Sequence, residues 1–105
     1  MSPISERIVK ILAEAIKIID KSNLQFIEYG IFGSVARGDY TGVSDVDIVI
    51  ITDKPLSSKE FCDIKHLLEQ VDCDVANITR EHFVRPISAF HKNVVKDYRR
   101  IKYGK

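Results

Sequence analysis

Residues 48–51 read Ile-Val-Ile-Ile. Branched aliphatics pack well on a pleated, extended chain. Side chains alternate between the two faces of a strand, so a run with no polar member suits a strand covered on both sides. Cover of that kind comes from helices packed on a sheet, and the rest of the chain supplies candidates. Ile4, Ile8, Ile11, Leu12, Ala15, Ile16 and Ile19 recur at helical spacing, with Glu6, Lys10, Glu14, Lys17 and Lys21 on the other face. Ser2 is the expected N-cap and Pro3 the first helical residue.

After Ser22-Asn23 the composition turns to strand from Gln25 to Phe32, followed by a Gly33-Ser34 turn. Val35 to Arg37 fit a short helix ended by Gly38, and residues 38–44 carry turn chemistry. The strand holding the aliphatic run spans Asp45 to Thr52. Ser57 and Glu60 fit a capping box, with Phe61, Ile64, Leu68 and Val71 as the stripe of the helix behind it. Val71 to Ile78 reads as a third strand, and Thr79 caps a short turn. Pro86 opens an expected last helix, about 86–102, with Ile87, Phe90, Val94, Tyr98 and Ile101 on one stripe. The predicted architecture is one α/β (α+β) domain over 1–105, a short sheet of three or four strands with helices packed on it.

A chain of 105 residues supports one core. The net charge of +1 argues against an extended nucleic-acid footprint, which needs a basic face. No apolar stretch approaches the roughly 18 residues of a spanning helix, and no secretory segment is present, so a cytoplasmic protein is expected. Cys62 and Cys73 are expected to be buried free thiols. His66, His82 and His91 lack ligand spacing, apart from His66 with Cys62 one helical turn back, and are read as helix-face residues. Lys96, Arg99, Arg100, Lys102 and Lys105 are read as cations favourably placed at a helix C-terminus, or as contacts for an RNA or an acidic partner.

The chemistry concentrates between Gly33 and Asp74. Asp45 and Asp47 share a strand face, their Cα atoms about 6.5 to 7 Å apart. Like charges that close repel, and a cation between them relieves the repulsion. Oxygen-only ligands favour Mg²⁺ or Mn²⁺, and two such ions form the usual clamp of phosphoryl chemistry. Asp72 and Asp74 on the next strand are the candidates for a third carboxylate. Gly33 permits close backbone approach to a ligand. Ser34 adds a donor beside the first N–H groups of the short helix, and Arg37 either reaches a phosphate or pairs with Asp39 or Asp45.

Gly33-Ser34, then residues 35–44, then Asp45-Val46-Asp47 resembles the nucleotidyltransferase signature of the DNA polymerase β superfamily. In its wider form, Gly33-Ser34-Val35-Ala36-Arg37-Gly38 with Ser44-Asp45-Val46-Asp47 looks like the minimal nucleotidyltransferase group. Cys73-Asp74-Val75-Ala76-Asn77-Ile78 fits the end of that group's third strand, which favours Asp74 over Asp72. The resemblance covers residues 25–78 and the flanking helices loosely. It implies transfer of a nucleoside monophosphate, AMP from ATP, to a hydroxyl, with Mg²⁺. Asp45, Asp47 and Asp74 would ligate the metal, Asp74 would serve as base, and Gly33, Ser34 and Arg37 would hold the triphosphate. It further implies a HEPN-domain partner, silenced by adenylylation of a tyrosine in a toxin–antitoxin pair, within a homo- or hetero-oligomer.

The larger relatives carry an extra domain that binds base or acceptor, whereas this chain has room for little beyond one helix after its third strand. The acceptor site is therefore expected to be completed by another chain. The rival readings are a binding protein that neutralises its partner by occlusion, and transfer to an RNA end or a small molecule.

Overall fold

The Ile48–Ile51 run lies in an inner strand with helices on both sides. The computed structural model describes residues 6–38 and 46–104. Ser2, Pro3, Asp39, Ser44, Asp45 and Lys105 lie outside them. The element order is α1 (Glu6–Lys21), β1 (Glu28–Phe32), α2 (Ser34–Arg37), β2 (Val46–Thr52), α3 (Ser58–Glu69), β3 (Cys73–Thr79), α4 (Arg80–Val84), α5 (Ala89–Asp97) and β4 (Arg99–Tyr103). The strands form one mixed sheet in the order β3-β2-β1-β4. β1 runs antiparallel to β2 and β4, and β2 runs parallel to β3. The parallel pair requires a crossover, which α3 supplies.

Alternation along β2 divides the core. Val46, Ile48 and Ile50 meet Ile8, Ile11, Ala15 and Ile19 of α1 and Ile64 and Leu68 of α3. Val49 and Ile51 face the other way and meet Ile78 and Val94, with Phe32, Phe83 and Tyr98 packed at the margin. Each fully buried Ile or Leu contributes roughly 2–3 kcal/mol of transfer free energy. Both faces of β2 are therefore apolar of necessity. The capping box at α3 forms as read: Ser57 Oγ accepts from Glu60 N–H, and Glu60 accepts from Ser57 N–H. Thr79 caps α4 by accepting from His82 N–H.

Several boundaries differ from the sequence reading. β1 begins at Glu28 rather than Gln25. β3 begins at Cys73 because Asp72 adopts a left-handed φ of 61°, which no strand residue shares. The helix expected over about 86–102 is two elements. Pro86 disfavours helical geometry at Arg85, whose φ and ψ are −127° and 81°. Ser88, accepting from His91 N–H, then caps α5. Tyr98 is extended at φ −58° and ψ 131°, and Arg99–Tyr103 leave the helix to pair with β1. Arg99, Arg100 and Lys102 accordingly sit on an edge strand rather than a helix end, whereas Lys96 lies in the last turn of α5 as read. Arg100 lies 3.7 Å from Glu28 and Lys102 2.9 Å from Asp20. Cys62 is exposed, one position off the apolar stripe of α3, while Cys73 is buried and both are free thiols.

Tyr29 is fully buried against Phe26, and its hydroxyl has no hydrogen-bond partner among the described residues. Burial, with a smaller push from the charge of Asp20, raises its phenol to about 12. The neutral form is favoured by folding, so this contribution is whole below about pH 10, the value in an unfolded chain. It is lost as pH rises through about 10 to 12, because the unfolded chain releases its proton first. Tyr98 is raised in the same direction by burial and then by Glu28. Tyr29→Phe should leave neutral-pH stability unchanged or slightly higher, since it removes an unpaired buried hydroxyl. It should also shrink the alkaline loss. Urea midpoints compared at about pH 8 and about pH 11 test this, and an unchanged alkaline loss would refute the assignment.

Candidate active site

One end of the sheet brings Gly33, Asp47 and Asp74 together. β1 ends at Phe32, which pairs across to Asp47, and Asp47 in turn pairs with Asp74 on the parallel neighbour. Registered neighbours in a sheet lie about 4.8 Å apart and project to the same face. Asp47 and Asp74 thus share the face that also carries Val49 and Ala76. Asp74 Oδ1 accepts from Val75 N–H at 3.0 Å, which fixes its side chain at the strand edge. Asp74 opens into a shallow hollow of about 300 Å³ shared with Glu69, Asp72 and Cys73.

Asp72 takes no part in this alignment. It lies in the turn before β3, exposed, with Arg7 at 4.0 Å. The two candidates for the third carboxylate are therefore separated by backbone geometry: Asp74 is the one beside Asp47. Asp45 lies outside the described residues.

Gly33 closes the site from the other side. Its φ of 78° is a left-handed value that side chains disfavour, and it caps the one-turn helix α2. A Cβ built there would sit 2.8 Å from Asp47 Oδ2. Gly33 is thus a requirement of the carboxylate as well as of the turn. Gly33→Ala should lower stability by about 1–2 kcal/mol through backbone strain and displace the Asp47 carboxylate. We expect weaker binding of a divalent cation at this end of the sheet alongside the lower melting temperature. A variant that loses stability while keeping that affinity would show that Gly33 serves the turn alone.

Ser34 opens α2, and Gly38 ends it in a left-handed conformation. Arg37 donates from Nη1 to Asp97 Oδ2 at 2.7 Å, and the Asp97 side chain is only 8% exposed. Arg99 Nε donates to the Ala36 carbonyl at 2.7 Å. These bonds tie α2 to the end of α5 and the start of β4. Asp97 was not legible in the sequence, because nothing local links it to a residue sixty positions earlier. Asn77, the Asn of the third-strand motif, is also occupied structurally. It donates to the Ile50 carbonyl and Thr52 Oγ1, and accepts from Leu56 N–H, latching the loop after β2.

The donor set suits a hard divalent cation. Asp47 and Asp74 offer carboxylate oxygens only, and the missing Cβ of Gly33 leaves space against one of them. Among the described residues no group of three or more His, Cys, Asp or Glu gathers as a metal site. His82 and His91 stack at 4.6 Å and do not join the acids in such a group. A groove of about 1110 Å³ lies at the opposite end of the sheet between Asp20, Phe26, Asp53, Lys54 and Lys102, and neither Asp47 nor Asp74 lines it. Among the described residues no helix is long and apolar enough to cross a membrane.

A family model described as a nucleotidyltransferase domain matches residues 7–102. No curated protein matches the chain. Among solved structures, one assigned as a nucleotidyltransferase of Sulfolobus solfataricus is 20% identical with a TM-score of 0.61, covering 98% of this chain and 92% of that one. A toxin–antitoxin with AMP-PNP is 20% identical with a TM-score of 0.62, covering 89% and 73%. A Shewanella oneidensis complex of a tri-AMPylated HEPN toxin with an MNT antitoxin is 18% identical with a TM-score of 0.56, covering 90% and 70%. At these identities the likeness is one of fold.

Proposed function

Because the chain belongs to the nucleotidyltransferase domain family, we propose that it moves AMP from ATP to a hydroxyl of a partner protein, as the antitoxin of a toxin–antitoxin pair. The observation that carries this reading is the alignment of Asp47 with Asp74 beside Gly33. The partner reading draws on the neighbouring structures, which include a HEPN toxin bearing AMP.

Asp47 and Asp74, with Asp45, would hold Mg²⁺. Bound divalent ions supply charge neutralisation on the triphosphate. The remaining work falls to the chain. Gly33 brings backbone close to the phosphates, and the first N–H groups of α2, which have no acceptor within the helix, point toward anionic oxygen. The Ser34 hydroxyl adds a donor there. Arg37, held by Asp97, contributes positive charge at the far end of the same turn. Asp74 accepts the proton of the acceptor hydroxyl. The acceptor oxygen bonds to the α-phosphorus as the bond to pyrophosphate breaks, so AMP is transferred and pyrophosphate leaves.

The test is transfer of label from α-³²P-ATP, with Mg²⁺, to the purified protein encoded beside this chain. Labelled partner, absent when Asp45→Asn and Asp47→Asn are combined, is the expected result. Tight complex formation with no label in either version would overturn the enzymatic reading in favour of occlusion.

A further inference from the structure

The α4–α5 segment leaves large apolar side chains in solvent. Val84 is 67% exposed, Ile87 71% and Phe90 45%, all within seven residues. Val94 is the one residue of α5 that is buried, and α4 buries none. Burial of such side chains is favourable, so a cluster that forgoes it marks a contact surface.

Its position relates it to the acids. The Phe90 ring meets Phe32 edge-on at 6.0 Å, and Phe32 is registered with Asp47. The patch therefore borders the end of the sheet where Asp47 and Asp74 emerge. Its rim is basic. Arg80, Arg85, Lys92 and Lys96 are exposed and pair with no carboxylate among the described residues. Of the two acids in the segment, Asp97 is committed to Arg37, which leaves Glu81.

We propose that Val84, Ile87 and Phe90 form the docking surface for the acceptor protein, and that this partner presents an amphipathic helix whose apolar stripe is flanked by Asp and Glu. The location rests on the transfer reading above, because an acceptor hydroxyl has to reach Asp74. The chemistry of the partner rests on the patch itself. Isoleucine and valine offer no ring on which bases stack, and the single ring, Phe90, is already engaged with Phe32, which disfavours RNA. A second copy of this chain is disfavoured by symmetry. A two-fold contact sets each patch against itself and would bring two sets of unpaired cations together.

The experiment measures the affinity of the purified protein encoded beside this chain for the wild type and for Ile87→Glu, Phe90→Glu and the pair Arg85→Glu/Lys92→Glu. Leu67→Glu, on an exposed apolar position of α3, is the control, and Asp47→Asn reports on the site. These side chains are exposed, and melting temperatures verify folding. The proposal expects each patch variant to weaken binding by about 30-fold or more. It also expects Leu67→Glu and Asp47→Asn to bind as wild type, and affinity to fall with salt. Wild-type affinity in the patch variants overturns it, as does failure of the wild type to bind. Patch-dependent retention of single-stranded RNA, or patch-dependent self-association, also overturns it in favour of those occupants. The two readings fail separately. Binding lost in the patch variants with no label transferred leaves the docking surface standing without the transfer. Label transferred with binding indifferent to the patch does the reverse.

Discussion

Asp47→Asn is expected to lower nucleotidyl transfer roughly 10³-fold, the scale seen when one preorganised electrostatic group is lost, while leaving the fold intact. Asparagine keeps the size of the side chain and removes its charge. The residue sits at the margin of the sheet, half-buried, with Asp74 as its registered neighbour. Asp74→Asn should cost activity on a similar scale, since it removes the proposed proton acceptor. Asp72→Asn should cost almost none, because that side chain lies in the turn and faces Arg7. The measurement is the initial rate of AMP transfer with thermal melting beside it. Transfer by Asp47→Asn within about tenfold of wild type, or an equal loss in Asp72→Asn, would remove the basis for this site.

The largest effect on stability should come from Gly30→Ala. Gly30 is buried in β1, where the pairing with β4 shifts register between Tyr29 and Gly30. A Cβ there would strike the Arg99 carbonyl, lie 2.7 Å from a ring carbon of Tyr98 and lie 2.8 Å from Arg100 Cα. Two of these contacts are backbone, so relief requires β4 to move off β1. We expect a loss of about 3 kcal/mol, the upper range for overpacking. For a domain of this size that is a fall in melting temperature of roughly 12–20 °C. Displacing β4 also withdraws Arg99 from Ala36, so α2 loosens and transfer falls with it. Gly38→Ala is the comparison. Its φ is 80° and a Cβ there meets nothing within 4 Å, so strain alone should cost about 1 kcal/mol. Equal losses in the two variants would show that backbone strain, not the approach of β4, governs Gly30.

The match between sequence and structure is uneven along the chain for physical reasons. The Ile48–Ile51 run by itself determined a doubly covered strand, since an extended chain with no polar side chain has one stable setting. The capping box at Ser57, the cap at Thr79 and the Gly33–Gly38 turn were equally legible, because each is made by residues within four positions of one another. Fixed spacing also brought Asp45, Asp47 and the Gly-Ser turn into one hypothesis. What the spacing left open depends on folding. Asp74 lies beside Asp47 and Asp72 does not, because of a left-handed residue at the head of β3 and the register with β2. The expected C-terminal helix broke into α5 and β4 because β1 offered an open edge, and pairing with that edge outweighs helical periodicity in a short, largely exposed segment. The partnership of Arg37 with Asp97 has no local signature at all. Local hydrogen bonding and alternation are written along the chain. Which strand edge is filled, and which distant charge answers Arg37, exists only once the sheet has closed.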